Sequence, residues 1–201
     1  MSDELNTINA YMTQIPATII HLFKLPLPNG IPGPITEISN ENVYRIVLVI
    51  LENFGLFEIV VHKPNFIINN LETIVLLNTE NPYTNSVLHQ VIHGDIQNRE
   101  FNLLNYLRSY NLSATVIGNK TDLQPYIGNA ELIPSSGDMT TWIQGSKILN
   151  RRDFLWLNFQ DFDNLYQRSI MFKREPPSNL IQRLIHRTDK WLLGMFKQAI
   201  D

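Results

Sequence analysis

Apolar residues recur every three to four positions in three stretches of the chain, and this spacing predicts helices. The first predicted helix covers residues 42–57. The second covers residues 83–93, where Asn81-Pro82 favours a helix start and Gly94 favours a helix end. The third follows residues 176–178 and presents one apolar face. These stretches are the most regular part of the hydrophobic pattern.

Shorter runs that are rich in β-branched residues predict strands. They cover residues 58–62, 73–77, 114–117 and 139–143. Two longer runs, 149–158 and 165–172, are joined by a polar turn at 159–164 and predict an antiparallel hairpin. This order of elements predicts an α+β fold in which an antiparallel β-sheet is flanked by helices.

Prolines are concentrated near the start of the chain, at positions 16, 26, 28, 32 and 34. A segment with this many prolines has room for one short helix before it becomes an extended arm. We therefore expect residues 1–40 to form an N-terminal helix and a proline-rich arm packed on the core. Residues 41–201 are expected to form a single α+β domain.

The composition excludes several classes of protein. Of the 201 residues, 44% are hydrophobic and 17% are charged, which is typical of a globular chain and not of a disordered one. The absence of cysteine excludes a disulfide scaffold, a thiolate nucleophile and an iron–sulfur cluster. The first residues do not form a secretory or transit signal, and the apolar run at 46–51 is far shorter than the ~20 residues of a membrane span. We expect a protein of the cytoplasm or plastid stroma, not secreted and without a membrane span.

Charge is uneven along the chain, although the formal net charge is only -3. Residues 147–201 contain ten basic and six acidic side chains, whereas residues 1–100 contain four basic and ten acidic ones. An anionic ligand is therefore expected to be drawn to the C-terminal quarter. The aromatic residues of that quarter fall at strand and helix spacings typical of a core, so we expect no nucleic acid as a partner.

Two local motifs are of the kinds that bind a nucleotide or a metal. Residues 119–122 match the NKxD element that reads guanine in small GTPases, but the chain contains no Gly-Lys pair and so lacks a phosphate-binding loop. His89 and His93 stand four residues apart on a predicted helix, where two imidazoles could share a metal, but no third ligand is indicated. We therefore expect no cofactor and no metal.

The predicted hairpin contains two arginines that could share a pocket. Side chains two apart in a strand point the same way, which places Arg152 with Trp156 and Arg168 with Tyr166. If these pairs share one face of the sheet, two guanidinium groups stand among aromatic rings and suit a small aromatic carboxylate. Equally, both arginines could face solvent or pair with a nearby aspartate, at position 153, 161 or 163.

The order of these elements resembles the chorismate pyruvate-lyase superfamily in its cyanobacterial and plastid-encoded type. The likeness is carried by residues 74–84 leading into the helix that ends at Gly94, by the Arg-bearing runs 150–157 and 165–171, and by His186-Arg187-Thr188-Asp189. It implies an antiparallel sheet around a cofactor-free pocket in which chorismate loses pyruvate to give 4-hydroxybenzoate, a quinone precursor.

The resemblance also implies roles for individual residues. Arg152 would hold the ring carboxylate, and Arg168 would be a second pocket residue, with Trp156 and Tyr166 lining the same pocket. Asp189, which stands where the family has Glu, would join Arg152 as a catalytic residue, and either Asp189 or Asp153 would handle the proton. Two alternatives stay open: a relative that binds such a ligand without turnover, and a non-catalytic adaptor that contacts protein partners within a larger assembly.

Overall fold

A computed structural model describes residues 7–38, 43–70, 72–95 and 100–200 of the chain. Its strands are β1 (Thr7–Tyr11), β2 (Ile46–Leu51), β3 (Ile74–Asn78), β4 (Ala114–Gly118), β5 (Glu131–Pro134) and β6 (Phe154–Phe159). Its helices are α1 (Ile15–Leu22), α2 (Leu56–His62), α3 (Asn65–Asn70), α4 (Thr84–His93), α5 (Leu103–Ser109), α6 (Lys120–Leu123), α7 (Asp138–Ile148), α8 (Asp161–Met171) and α9 (Ser178–Ile200). None of the helices in these ranges is both long enough and apolar enough to cross a membrane.

The chain divides into two compact units, each built from separate segments. The first unit comprises Met1–Ile46, Glu72–Ala114 and Gln124–Glu131, and the second comprises Val47–Leu71, Thr115–Leu123 and Leu132–Asp201. The domain boundary predicted between residues 40 and 41 lies outside the described residues, so that division stays a prediction.

The first unit contains a two-stranded parallel sheet of β1 and β3, in a register that runs from Thr7 opposite Ile74 to Tyr11 opposite Asn78. Helices α1, α4 and α5 supply most of the buried apolar side chains described in this unit. Helix α4 ends at Gly94, whose φ of 70° is the left-handed conformation that glycine adopts at low cost. The sequence prediction of this helix and of its glycine end is confirmed.

The second unit contains a four-stranded sheet in the order β2-β6-β4-β5. All of its strands are parallel. Strand β6 lies between two neighbours, and all six of its residues are buried, as expected for a strand covered on both faces. One side of the sheet packs on α7 and α9 through a core of Ile117, Leu149, Leu155, Leu157, Phe159 and Met195.

The predicted antiparallel sheet is therefore wrong. The predicted hairpin does not form, because residues 161–171 are helix α8 and not a returning strand. Helices also connect β4 to β5 and β5 to β6, and such crossovers are what parallel strands require. The α+β character is retained, but the central sheet is parallel.

Three other element predictions are also wrong. Residues 42–57 were predicted as a helix but contain strand β2, and residues 58–62 and 139–143 were predicted as strands but lie in α2 and α7. By contrast, β3, β4 and α9 lie where the sequence predicts them, and β6 occupies the end of the predicted run 149–158.

Candidate functional site

A polar cleft of about 840 Å³ lies in the second unit, at the edge of the sheet where its strands end. Parallel strands place their carboxyl ends along one edge, which is where open α/β sheets bind ligands. We call this feature the carboxyl-edge cleft. It is lined by Asn119, Asp122, Ser135, Ser136, Gly137, Asp138, Thr141, Asn158, Gln160, Asp161, Asp163, Asn164, Leu165, Arg168, Leu180 and Leu184.

A chain of hydrogen bonds fixes the polar side chains along this edge. The Nε2 of Gln160, directly after β6, donates to Asp122 Oδ2 at 2.8 Å and to Glu52 Oε1 at 3.0 Å. Asn158 Nδ2 donates to the same Glu52 oxygen at 2.6 Å. Gln160 thereby joins the carboxylates that follow β2 and β4, and Asn158 holds Glu52 in place, which fixes the orientation of the cleft wall.

One acceptor in this network has no partner. Asn158 is 2% exposed, and its Oδ1 makes no hydrogen bond to any described residue although the side chain lines the cleft. A buried acceptor without a partner costs about 1–3 kcal/mol. A ligand that donates an N–H or O–H group to this oxygen would recover that cost.

Asp138, the first residue of α7, is held at both carboxylate oxygens. The backbone N–H groups of Gln160 and Asp161 donate to it at 2.7 and 3.1 Å. Burial raises the pKa of Asp138 to about 6, with a further raising effect from Asp161, against the lowering effects of the two N–H donors and of Arg187. Asp138 therefore fixes the start of α8 and is ionised at neutral pH.

Arg187, on α9, contacts the same corner of the cleft. Its Nη2 donates to Asp161 Oδ2 at 2.6 Å and lies 3.7 Å from Asp138 Oδ2. The guanidinium also lies over the Trp191 ring, 4.4 Å from its centroid, as a cation–π contact. Arg187 is thus engaged with protein groups.

The cleft has an excess of negative charge. Four aspartates line it, at positions 122, 138, 161 and 163, against two arginines: Arg168 in the lining and Arg187, which pairs with Asp161 and Asp138. Arg168 is exposed, and it forms no ion pair within the described part of the chain. The cleft therefore favours cations and hydrogen-bond donors over anions.

The two arginines predicted to share a pocket are not brought together. Arg168 lies on α8 and lines the carboxyl-edge cleft. Arg152 precedes the opposite, amino end of β6, and its Nε donates to Thr115 Oγ1 at 2.8 Å. Because the strand that was to carry Arg168 is a helix, the shared face predicted for these residues does not exist.

The other predicted site residues have structural surroundings. Trp156 is fully buried in β6, and Tyr166, on α8, donates its hydroxyl to Glu58 Oε1 at 3.0 Å. Asp189 is buried on α9 and accepts hydrogen bonds from the backbone N–H groups of Phe66 and Ile67, both at 3.0 Å. Its carboxylate therefore caps the start of α3.

Sequence reasoning missed most of the cleft. Residues 119–122 were singled out as a guanine-reading motif, and Asn119 and Asp122 do line the cleft. The segment 159–164, predicted as a turn, instead follows a parallel strand and supplies Gln160 and Asp161. The available signal was the set of polar residues that directly follow apolar runs, which is typical of a parallel α/β edge.

The histidine pair lies in the first unit, with ring centroids 4.3 Å apart. Each Nδ1 faces a backbone carbonyl, of Asp95 for His89 and of Phe101 for His93. No group of three or more His, Asp or Glu side chains able to hold a metal is found in the residues that the structure describes. Two stacked imidazoles are a packing contact of α4.

No family model, no curated protein and no solved structure matches this chain. The comparisons therefore bear neither for nor against the resemblance to the chorismate pyruvate-lyase superfamily, which stays a prediction. Function is therefore inferred from the geometry of the carboxyl-edge cleft.

Proposed function

We propose that the second unit binds a small cationic ligand, an amine or a guanidine, in the carboxyl-edge cleft. The observation that carries this proposal is the combination of two features. Asp122 and Asp163 line the cleft and form no ion pair within the described residues, and the buried Oδ1 of Asn158 makes no hydrogen bond to any of them. Both features call for a ligand that is rich in N–H donors and positively charged. An ammonium group supplies three donors, and a guanidinium supplies five in a planar fork that matches a carboxylate.

The size of the cleft agrees with a small-molecule ligand. Its volume of about 840 Å³ falls in the range of roughly 300–1,000 Å³ that is usual for such sites. Leu165, Leu180 and Leu184 supply an apolar side that can cover the carbon chain of an alkylamine. We place the charged group of the ligand at Asp122 and Asn158, whose orientations Gln160 and Glu52 fix.

Binding is proposed here, and not catalysis. The titratable group of the cleft with a shifted pKa is Asp138, a natural candidate for proton transfer. Both of its carboxylate oxygens, however, accept backbone N–H groups of the β6–α8 connection. Its observed role is to hold that connection in place.

The charge of the cleft opposes chorismate and similar dicarboxylates. An anion that approached Arg168 would also meet the aspartates at positions 161 and 163. The lyase activity predicted from the sequence therefore has no supporting observation in the carboxyl-edge cleft. Titration with 4-hydroxybenzoate tests whether the chain binds the product of that reaction.

The test is isothermal titration calorimetry of the full chain with agmatine, spermidine and 4-hydroxybenzoate as probes. We expect saturable binding of agmatine or spermidine that weakens as salt is raised, and none of 4-hydroxybenzoate. Asp122→Asn should weaken binding at least about tenfold, since it removes a charged acceptor. Glu175→Gln is the matched control, because it makes the same change of charge at an exposed position outside the cleft.

Three results would contradict the proposal. One is an absence of saturable binding of both cationic probes, and the second is tighter binding of 4-hydroxybenzoate than of agmatine. The third is equal weakening by Asp122→Asn and Glu175→Gln, which would assign the effect to general electrostatics. Thermal melts of both variants separate loss of binding from loss of folding.

A further inference from the structure

Helices α2 and α8 of the second unit lie side by side and run in the same direction. Phe54 packs on Phe162 with ring centroids 5.1 Å apart, and one turn further along each segment Glu58 accepts from Tyr166. From the first contact to the second, both segments advance by four residues, so they run in the same direction. The C-terminal ends of the two helices therefore lie at the same end of the pair.

Helix α2 along its length and the C-terminal end of α8 expose an unusual amount of apolar surface. The residues concerned are between 48% and 74% exposed, and they are Leu56, Phe57, Val60, Val61, Ile170, Met171 and Phe172. Single exposed apolar residues are ordinary, but a group of seven on two neighbouring helices marks an interaction site. We call this group the α2–α8 surface.

Basic residues directly follow the apolar ones on both helices. Lys63 follows α2, and Lys173 and Arg174 follow α8, and all three are exposed. At the end of α8, Lys173 N donates to Ile170 O and Arg174 N donates to Ser169 O, which is the Schellman pattern of a helix end. These bonds fix the backbone of Lys173 and Arg174 directly after the exposed apolar end of α8.

The acidic groups near this surface do not offset these cations. Glu58 is buried and hydrogen-bonded to Tyr166, and Glu175 is the acidic neighbour that follows Arg174. Lys63, Lys173 and Arg174 are three cations against these two carboxyl groups, so the surface has a net positive formal charge. The half-buried His62 directly precedes Lys63. An apolar group with a cationic rim is the composition of a surface that lies on an anionic bilayer.

We propose that the α2–α8 surface binds anionic lipid membranes, with its apolar side chains in the interfacial region and its lysines and arginine at the headgroups. Charge complementarity favours this occupant over a second copy of the chain. A second copy would bring the same net positive charge to the contact, whereas an anionic bilayer brings the opposite charge. The proposal does not depend on what the carboxyl-edge cleft binds.

The test is flotation of the full chain with vesicles of phosphatidylcholine alone and with about one third phosphatidylserine. We expect binding to the anionic vesicles only, weakened by salt. Replacing two basic residues, Lys173→Gln with Arg174→Gln, should lower partitioning about thirtyfold, at about 1 kcal/mol per residue. Phe57→Ser with Phe172→Ser should also lower partitioning, by removing the inserted rings.

The matched control is Tyr44→Ser with Tyr83→Ser, which removes two equally exposed aromatic rings from the first unit and should leave partitioning unchanged. The proposal is overturned if neither vesicle binds, if both bind equally, or if the control lowers binding as much as the test variant. It is also overturned if light scattering shows a dimer that Phe57→Ser with Phe172→Ser dissociates, since the surface is then a contact between copies. All the replaced side chains are exposed, so each variant should fold, and circular dichroism is the measurement that checks this.

Discussion

Buried carboxylates in the second unit hold backbone N–H groups at the starts of helices. Asp138 receives the N–H groups that lead into α8, and Asp189 receives those at the start of α3. Neither residue lies within a regular capping pattern in the sequence, because donor and acceptor are more than twenty residues apart. Such long-range caps resemble catalytic carboxylates because both are buried acidic side chains. Their hydrogen bonds from backbone N–H groups distinguish a capping role from a catalytic one.

The shifted pKa of Asp138 predicts how the second unit responds to pH. Its value of about 6 in the folded protein lies above the ordinary 3.8, so between these values the folded state binds more protons than the unfolded state. Stability should therefore fall as pH rises from about 4 to about 6, by roughly 3 kcal/mol. Urea denaturation followed by tryptophan fluorescence measures this, since the three tryptophans, at positions 142, 156 and 191, all lie in the second unit.

The Asp138→Asn variant provides the comparison. It removes the titrating group, so its stability should vary less with pH over this interval than that of the unmodified chain. Glu175→Gln, an exposed replacement, should keep the full slope. An unchanged slope in Asp138→Asn would assign the pH dependence to other groups.

Two glycines inside helices of the second unit predict opposite effects of the same substitution. Alanine is favoured over glycine inside a helix by about 1 kcal/mol, and Gly194 on α9 has open space where a Cβ would stand. A Cβ on Gly145 of α7 would lie 2.9 Å from Cδ2 of the fully buried Leu157. Gly194→Ala should raise the free energy of unfolding by about 0.5–1 kcal/mol, and Gly145→Ala should lower it by about 1–2 kcal/mol.

Urea midpoints of the two variants measure this difference under identical conditions. A stabilising Gly145→Ala would show that Leu157 can move away from α7. The close approach of α7 to β6 would then not be a requirement of the fold.

Helix α4, whose end is marked by glycine, and the strands β3 and β4 could be predicted, whereas β2 and α8 could not. Gly94 ends α4 as predicted, and the helix begins at Thr84, one residue after the predicted start. The run Ile46–Leu51 is continuously apolar, which fits a strand buried by its neighbours and a buried helix equally well. At α8, β-type residues outweighed the helical spacing of Phe162, Tyr166 and Ser169, of which the first and last are buried.

The error at α8 determined the error at the site. Reading residues 165–172 as a strand paired Arg168 with Arg152 across a hairpin, and it hid the parallel edge at which Asn119, Asp122 and Gln160 meet. These three residues come from distant parts of the sequence, and only the order of strands in the sheet brings them together. The chemistry of a parallel edge could not be predicted before the sheet was known to be parallel.

At the scale of the whole molecule, the two units differ in which buried group responds to acid. In the second unit Asp138 binds a proton more readily when folded. In the first unit burial lowers the pKa of His93, with the charge of His89 acting in the same direction and the hydrogen bond to Phe101 opposing both. Because the pKa of His93 in the folded state lies below the ordinary 6.5, the unfolded state binds more protons at pH values between the two. The stability of the first unit is therefore lost as the pH falls below about 6.5.

The two units should therefore respond in opposite directions as the solution is acidified from about pH 7 to about pH 5. Hydrogen exchange with mass spectrometry, corrected for the intrinsic effect of pH, should show weaker protection of α4 at the lower pH and stronger protection of β6 and α8. His93→Gln keeps a donor for the Phe101 carbonyl but does not titrate, so its α4 should be protected equally at both values. Parallel changes in both units would mean that the chain unfolds as one cooperative body, in which the groups of the two units act on a single equilibrium.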